Sequence, residues 1–305
     1  MKLTIQQFNT SANYIKTHAR PLEQKLLSFH FEGGSKEDAA DELAKFQNDD
    51  GGFGRSIEPD FRLDSSSPMA TTVGLQHAKE LNLSRNHPVV QGAMSYLLDT
   101  YDEKAGGWHA VSEAVNAVPH APWWHFDSER GFSGVQTTWA NPNAEIIGYF
   151  HLFQPEQPLL QEWTERSVTE LKELKHPIEM HDFLCYQRLV QGVKGHAYSD
   201  LIKILTSSVR ETVCTDPSRW NEYVAKPLQV ASHPSSPFYD ILKDEIRVQL
   251  EAEVSDQHPE GYWQPNWSWF GHFEETWPVA EREWRGILTL GMLRVLSNYN
   301  RIETE

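Results

Sequence analysis

The 305-residue sequence has little cysteine and no long apolar run, and both features narrow its class. Only two cysteines occur, Cys185 and Cys214, and they do not form a CxxC pair. A disulfide framework needs several cysteines and a thiolate zinc site needs closely spaced ones, so neither is indicated. We therefore expect a cytoplasmic protein. The N-terminus lacks the apolar core of a signal peptide, and no segment has the length of a membrane-spanning helix, so no membrane span is expected.

Positive charge is also scarce. The chain has 27 Lys and Arg against 43 Asp and Glu, which gives a formal net charge of −16. Binding to nucleic-acid phosphates requires clustered Lys and Arg, so we expect no nucleic-acid partner. Aromatic and imidazole side chains, in contrast, are abundant, with 11 Trp, 10 Tyr and 14 His. Such flat side chains can line a cavity, and we expect a small-molecule ligand there.

Helical periodicity runs through most of the chain, and no segment alternates as a strand does. Apolar residues recur at i, i+3, i+4 and i+7 in segments 22–31, 36–47, 69–81, 89–101, 143–153, 159–174, 181–193, 198–213, 238–254 and 279–299. Loops rich in Pro and Gly join these segments, and no long polar linker divides the chain. The sequence therefore predicts an all-α protein of about eleven helices, with residues 1–305 in a single domain.

An internal repeat of helix, polar turn, Gly with an aromatic residue, loop and second helix occurs three times. The turns are NDDGGFG at 48–54, DEKAGGW at 102–108 and QHPEGYW at 257–263. Glycine accepts the positive φ of a tight turn, and Asp caps free backbone N–H groups there. We therefore interpret Asp49 and Asp50 as turn-forming residues and not as a catalytic pair.

These turns resemble the Gln-Trp type repeats of the terpenoid cyclase and protein prenyltransferase superfamily. Gln47 and residues 51–53 match the motif, as do residues 106–108, whereas the third repeat matches only at Gly261 and Trp263. The resemblance implies an α/α toroid, a barrel of inner and outer helices. The length allows one toroid, as in a bacterial branch that carries a segment of the type EPDFRLDSSSPMATT. Fold is implied more strongly than activity.

The acid motifs of the superfamily's enzymes do not occur in this sequence. Neither DxDD nor DDxxD is present, so the resemblance assigns no proton donor. The prenyltransferases bind zinc through an Asp-x-Cys pair, whereas Asp182 and Cys185 are three positions apart. We expect no metal and no other cofactor.

In such a toroid the N-terminal ends of the inner helices line one mouth of a central cavity, where unpaired N–H groups favour polar ligands. We place these starts near Ser67, Asn141, His181 and Trp277. The loop before the first start carries a group of charged side chains: Glu58, Asp60, Arg62 and Asp64. A neighbouring carboxylate raises the pKa of an acid and an Arg lowers it, so this group is a candidate acid–base site. The alternative is a surface turn with an ion pair and a Ser N-cap.

A second candidate region combines loop 116–127 with segment 137–145. It is rich in Trp and His and has no helical period, which is typical of a lid or a stacking wall over a cavity. Its candidate residues are His120, Trp123, Trp124, His125, Trp139, Asn141, Asn143 and Glu145. The alternative is that the Asn residues cap a helix around Pro142 and the Trp residues pack the loop onto the barrel.

Two further groups precede inner helices. His181 and Asp182 are a candidate base and partner, although adjacent helical residues point about 100° apart. A helix-capping role for Asp182 is the alternative. The segment 262–277 contains Trp267, Trp269 and His272, which suit an isoprenoid chain, a sugar face or a cation.

Together with the resemblance, these residues predict an enzyme or ligand-binding protein of terpenoid cyclase-like fold. The resemblance implies an aromatic central cavity that takes an isoprenoid-like or other hydrophobic small molecule, with acid–base chemistry there. The candidate catalytic residues are Glu58, Asp60, Asp64, Glu145 and Asp182. The candidate ligand-binding residues are Arg62, His120, Trp123, Trp124, His125, Trp139, Asn141, Asn143, His181, Trp267, Trp269 and His272. One alternative is a carbohydrate-active α/α-barrel lyase or hydrolase that uses Trp for sugar stacking. Another is a binding or scaffold protein without catalysis.

Overall fold

The computed structural model describes residues 1–304, and nearly all of its regular structure is helical. The helices are α1 (Ile5–His18), α2 (Pro21–Phe31), α3 (Lys36–Ala44), α4 (Pro68–Glu80), α5 (Pro88–Asp99), α6 (Ala140–Phe153), α7 (Leu160–Glu173), α8 (Met180–Leu189), α9 (Gly195–Thr212), α10 (Pro227–Val230), α11 (Tyr239–Ser255) and α12 (Trp277–Asn298). The strands are β1 (Phe126–Asp127) and β2 (Phe132–Ser133), which pair antiparallel. The all-α prediction is confirmed. No helix within residues 1–304 is both long and apolar enough to cross a membrane.

All ten predicted helices are present, and each end lies within four residues of the predicted position. Two helices were missed. Helix α1 buries Ser11 together with Ala12, Tyr14 and Ile15, so a polar residue interrupts the apolar period of its buried face. Helix α10 is only 4 residues long, which is too short to show a period.

Helices α4, α6, α8 and α12 begin at or next to the four predicted positions. Ser67 caps α4, because its Oγ accepts a hydrogen bond of 3.1 Å from the N–H of Ala70. Asn141 is extended, with φ −101° and ψ 114°, as expected for a residue before proline. The pairing of β1 with β2 was not predicted, and it lies in the Trp- and His-rich loop before α6.

The chain divides into two compact units. The first contains residues 1–42 and 209–268 and the chain from 274 onward; in it α1, α2 and α12 pack on one another and α10 packs on α11. The second contains residues 43–208 and 269–273; in it α6 packs on α4, α5, α7 and α8. An aromatic cluster of Tyr101, Trp108, Phe150 and Trp163 fills part of the second unit.

The three predicted repeats share one turn geometry. A glycine with positive φ occupies each turn: Gly51 at 84°, Gly106 at 63° and Gly261 at 91°. A backbone bond closes each turn, from Asn48 to Gly52, from Asp102 to Gly107 and from His258 to Tyr262. The backbone N–H of the aromatic residue then donates to a side chain of the following helix. These bonds join Phe53 to Thr71, Trp108 to Asn143, and Trp263 to Thr289. The repeat is therefore a structural unit.

Asp50 stabilises the first turn through hydrogen bonds. Oδ1 of Asp50 accepts from the N–H of Gly52 at 2.9 Å and from the hydroxyl of Ser66 at 2.7 Å. In the second turn Oδ1 of Asp102 accepts from two backbone N–H groups in the same way. The structural interpretation of Asp50 is confirmed.

Candidate functional site

The loop 56–68 buries one of its candidate carboxylates. Asp60 is 3% exposed, and its Oδ1 accepts a hydrogen bond of 2.8 Å from the indole Nε1 of Trp269. The Asp60 carbonyl accepts from the N–H of Ala121 at 2.7 Å, which ties this loop to the loop 116–127. Residues far apart in sequence therefore meet at Asp60.

The other candidates of this loop are more exposed than Asp60. A carboxylate oxygen of Glu58 accepts from the Asp60 N–H at 3.2 Å, so it supports the backbone of the turn. The Arg62 N–H donates to the carbonyl of Pro119 at 2.8 Å. Asp64 is exposed. Of the three predicted carboxylates, Asp60 is the one enclosed by protein.

A histidine pair lies in the loop 116–127. His120 is 5% exposed, and its Nδ1 donates to the carbonyl of Val118 at 2.6 Å, which fixes the proton on Nδ1. Its Nε2 therefore accepts from Nδ1 of His125, at 3.3 Å. Burial, and to a smaller extent the charges of His125 and His272, lower the pKa of His120. His120 is thus a neutral imidazole at pH 7.

Aromatic rings surround this pair. The ring of Phe273 lies 5.3 Å from that of His120, and the ring of Trp124 lies 4.8 Å from that of Phe61. Phe270 packs edge-on against Trp123 yet is 73% exposed. We call the set His120, Trp123, Trp124, His125, Phe270 and Phe273 the aromatic cluster of the 116–127 loop.

The segment 269–273 is held in an uncommon backbone conformation. Phe270 has φ 52° and Phe273 has φ 48°, which is the left-handed region that bulky residues rarely adopt. Backbone strain of this kind is concentrated at ligand-binding and catalytic segments. Trp267 lies in the first unit instead, where its ring packs against Tyr223 and Trp284.

A buried polar cluster joins helices α4, α6 and α8. Its centre is Glu145 on α6, which is 3% exposed. One carboxylate oxygen accepts from Nε2 of Gln76 at 2.9 Å and from the hydroxyl of Tyr149 at 2.6 Å. The other faces Nη1 of Arg188 at 3.0 Å. Three donors from three helices thus meet this carboxylate, so Glu145 orients its neighbours.

Cys185 extends this cluster along α8. Its Sγ lies 3.7 Å from Oδ1 of Asn141 and 4.0 Å from Oε2 of Glu145. Burial and the nearby Glu145 carboxylate raise the pKa of the thiol well above its usual value. The Cys185 side chain is therefore a neutral thiol at pH 7 and not a thiolate nucleophile.

Asp182 lies one turn before Cys185 on α8. Its side chain is 3% exposed, and Oδ1 accepts one hydrogen bond, of 2.9 Å, from the hydroxyl of Thr138. Burial raises the pKa of Asp182 to about 6, against the effect of the Thr138 hydrogen bond. This carboxyl group exchanges a proton close to neutral pH.

The capping alternative for Asp182 is wrong. Glu179 is the N-cap of α8, because its side chain accepts from the N–H groups of His181 and Asp182. The Glu179 side chain also contacts Nδ1 of His181, at 2.8 Å. The side chains of His181 and Asp182 thus have different partners, Glu179 and Thr138, as their adjacent positions on a helix predict.

Two predicted ligand-binding residues serve the second repeat. Oδ1 of Asn143 accepts from the Trp108 N–H at 2.6 Å, and its Nδ2 donates to the Trp139 carbonyl at 2.6 Å. The Trp139 indole donates to the Gly106 carbonyl at 3.1 Å, and Arg166 lies over its ring. Both side chains are engaged in supporting the turn.

The sequence predictions omitted four members of the polar cluster. Gln76, Tyr149, Cys185 and Arg188 lie on three helices, and no motif links them. One signal was available, because Asp182, Cys185 and Arg188 are spaced by three on a predicted helix and form a polar ridge along it.

Within residues 1–304, no group of three His, Cys, Asp or Glu side chains is arranged to hold a metal ion. No protein-family model matches the chain. A search of curated protein sequences finds no similar protein.

Proposed function

We propose that this protein is an α/α-toroid enzyme, of the terpenoid cyclase-like architecture, in which Asp182 is the general acid for a reaction of a small molecule. The observation that carries the proposal is the carboxyl group of Asp182. It is buried, it accepts one hydrogen bond, and its pKa is about 6. A carboxyl group with these properties holds a proton near neutral pH and can deliver it.

Glu145 is equally buried but has more partners, which separates the roles of the two acids. Gln76 and Tyr149 donate to one of its oxygens, and Arg188 contacts the other. Glu145 is therefore a positioning residue that fixes Arg188 and Gln76. In this proposal Asp182 transfers the proton and Glu145 orients the neighbouring side chains.

The aromatic cluster of the 116–127 loop suits a substrate with a hydrophobic body. Trp123 and Phe270 present ring surface that is partly or largely open to solvent. Aromatic faces bind apolar chains and stabilise a positive charge that develops on a substrate. These features support an isoprenoid-like or other hydrophobic substrate.

The toroid is supported by the way in which each repeat meets a different helix. A Cβ on Gly51 would strike the carbonyl of Gly92 in α5. At Gly106 it would strike Arg166 in α7, and at Gly261 it would strike Thr10 in α1. Turns that each pack closely against a different helix agree with an arrangement of repeated helix pairs.

A second candidate is a carbohydrate-active enzyme, and the polar cluster favours it. A purely hydrophobic substrate needs a dry wall, whereas Asn141, Glu145 and Arg188 present amide and charged groups on adjacent helices. Hydroxyl-rich ligands are recognised by such groups together with aromatic stacking.

The experiment that tests the proposal is a substrate screen with matched variants. Purified protein is incubated with a panel of isoprenoid alcohols and phosphates and a panel of glycosides and uronides, and products are detected by mass spectrometry. We expect turnover of one class and its loss in Asp182→Asn, by at least about 100-fold. The control is Asp244→Asn, because Asp244 is an exposed carboxylate on α11 and belongs to no candidate site. Equal turnover by Asp182→Asn and the wild type would overturn the assignment of the general acid.

A further inference from the structure

Arg188 is anchored on one side only. Its Nη1 contacts Oε2 of Glu145 at 3.0 Å, and its side chain remains 34% exposed. A guanidinium carries five N–H donors in a planar fork, so one such contact leaves most of its donors unused by Glu145. An arginine held by a buried carboxylate, with its remaining edge accessible, is positioned to bind a second anion.

Lys79 adds a second positive charge near this edge. Gln76, which donates to Glu145, lies three positions before Lys79 on α4, so both side chains emerge from neighbouring turns of one face. Partial burial and the charge of Arg188 lower the pKa of Lys79, while Glu145 raises it. Lys79 itself is exposed at the end of α4.

Helices α4 and α8 both pack on α6, and each brings one basic side chain, Lys79 and Arg188 respectively. Burial raises the pKa of the Tyr149 hydroxyl and of the Cys185 thiol well above their usual values, so these two neighbours are neutral at pH 7. Basic side chains on the two helices beside Glu145, one of them an anchored guanidinium, favour a negatively charged ligand.

We propose that Arg188 and Lys79 form a binding site for an anionic group, a carboxylate or a phosphate, of the small molecule on which the protein acts. Glu145 orients Arg188, and Arg188 binds the anion through its free edge. Lys79 contributes as a point charge. The inference rests on the proposed function in one respect, since it takes the bound group to belong to the substrate of the site around Asp182.

The alternative is that Glu145 and Arg188 are only an ion pair that holds α6 to α8. In that case Arg188 needs no accessible edge and Lys79 has no role beyond the last turn of α4. The two interpretations differ in one measurable property, the affinity of the protein for simple anions.

The experiment is a calorimetric titration of the full chain with three probes at constant ionic strength: inorganic pyrophosphate, glucuronate and glucose. We expect one of the two anions to bind and glucose to bind at least about tenfold more weakly. Tighter pyrophosphate binding identifies a phosphate-bearing ligand, and tighter glucuronate binding identifies a carboxylate-bearing one.

Three variants locate the site. Lys79→Gln is expected to weaken anion binding several-fold, and Lys243→Gln is the control, because Lys243 is exposed on α11. Arg188→Gln alone leaves the Glu145 carboxylate without its cation, which threatens folding. The double variant Glu145→Gln/Arg188→Gln avoids this, because Gln retains acceptors for Gln76 and Tyr149. We expect the double variant to lose at least about tenfold in affinity.

Failure of this inference is distinguishable from failure of the proposed function. Asp182→Asn is expected to bind the anion as the wild type does while losing turnover. If the wild type binds neither anion, or if the double variant binds as tightly as the wild type, the inference is overturned whatever the result for Asp182.

Discussion

The indole Nε1 of Trp269 donates a hydrogen bond of 2.8 Å to Oδ1 of Asp60, across 209 positions of sequence. Both side chains are buried, with exposures of 1% and 3%. A hydrogen bond to a carboxylate is stronger than one between neutral groups, and its loss leaves a buried charge less well solvated. This contact therefore fastens the segment 269–273, with its left-handed phenylalanines, to the loop that carries Asp60.

We predict that Trp269→Phe lowers the free energy of unfolding by about 2 kcal/mol more than Trp124→Phe. Both substitutions remove the same atoms from a buried ring. Nε1 of Trp124, however, has no hydrogen-bond partner among residues 1–304, so its loss breaks no such bond. Denaturant titration measures both values. Equal destabilisation would show that the indole bond to Asp60 contributes nothing to stability.

The turn glycines provide a second prediction, because two of the positive-φ glycines differ only in the space around them. At Gly51, φ is 84° and an added Cβ would strike the backbone of Gly92. At Gly131, φ is 80° and no atom lies within 4 Å of that Cβ. We expect Gly131→Ala to cost about 1–2 kcal/mol, for its backbone conformation alone.

Gly51→Ala is expected to cost more than twice as much, since the backbone of α5 must also move away. Thermal unfolding followed by circular dichroism compares the two variants. Similar melting temperatures would mean that the first repeat turn does not need its close approach to α5.

The side-chain acceptors of the repeats provide a third prediction. Thr71→Val keeps the shape of the side chain but removes the acceptor for the buried N–H of Phe53. An unsatisfied buried donor costs about 1–3 kcal/mol, and we expect that loss in stability. Thr289→Val is expected to behave alike, because Oγ1 of Thr289 accepts from the N–H of Trp263 at 3.0 Å.

The control is Thr169→Val, an exposed helical threonine whose hydroxyl donates to the carbonyl of Glu165. It makes the same type of bond to its own helix as Thr71 does, without a second donor. We expect its effect to stay within about 0.5 kcal/mol. If Thr71→Val were as mild as this control, the bond between turn and helix would not support the repeat.

The helices could be predicted from the sequence because their buried faces are apolar at a period of 3.6. Helix α1 was not predicted because its buried face includes Ser11, whose hydroxyl donates to the carbonyl of Gly261 in the third repeat. A polar residue on a buried face breaks the periodic signal, and its partner 250 positions away cannot be inferred from local sequence.

The candidate site was predicted in part, for a physical reason. Asp182 and Glu145 were selected because they lie near helix starts, and helix starts are readable from Pro, Ser and Asn signals. Their partners were not predicted, because Gln76 and Arg188 contact Glu145 from two other helices. Asp182 was considered as the cap of α8, but Glu179 takes that role. Either carboxylate suits a cap chemically, so the loop geometry decides between them.

The final prediction concerns Asp182 and the pH dependence of stability. Burial raises its pKa from 3.8 to about 6 in the folded protein. Between these two values the unfolded chain releases the proton while the folded protein retains it, so the stability contributed by this group falls as pH rises. Above the folded pKa the penalty is constant, at up to about 3 kcal/mol.

Asparagine cannot ionise, and its amide oxygen still accepts from Thr138, so Asp182→Asn removes this penalty. We expect the variant to match the wild type in stability below pH 4 and to exceed it by up to about 3 kcal/mol at pH 7. Denaturant titrations at pH 4, 5, 6 and 7 follow the difference, with Asp64→Asn as an exposed comparison. A variant that is less stable at every pH would show that the ionised carboxylate is well solvated in the fold. A variant that is more stable yet inactive would mean that the fold tolerates a destabilising acid at this position because the reaction needs its proton.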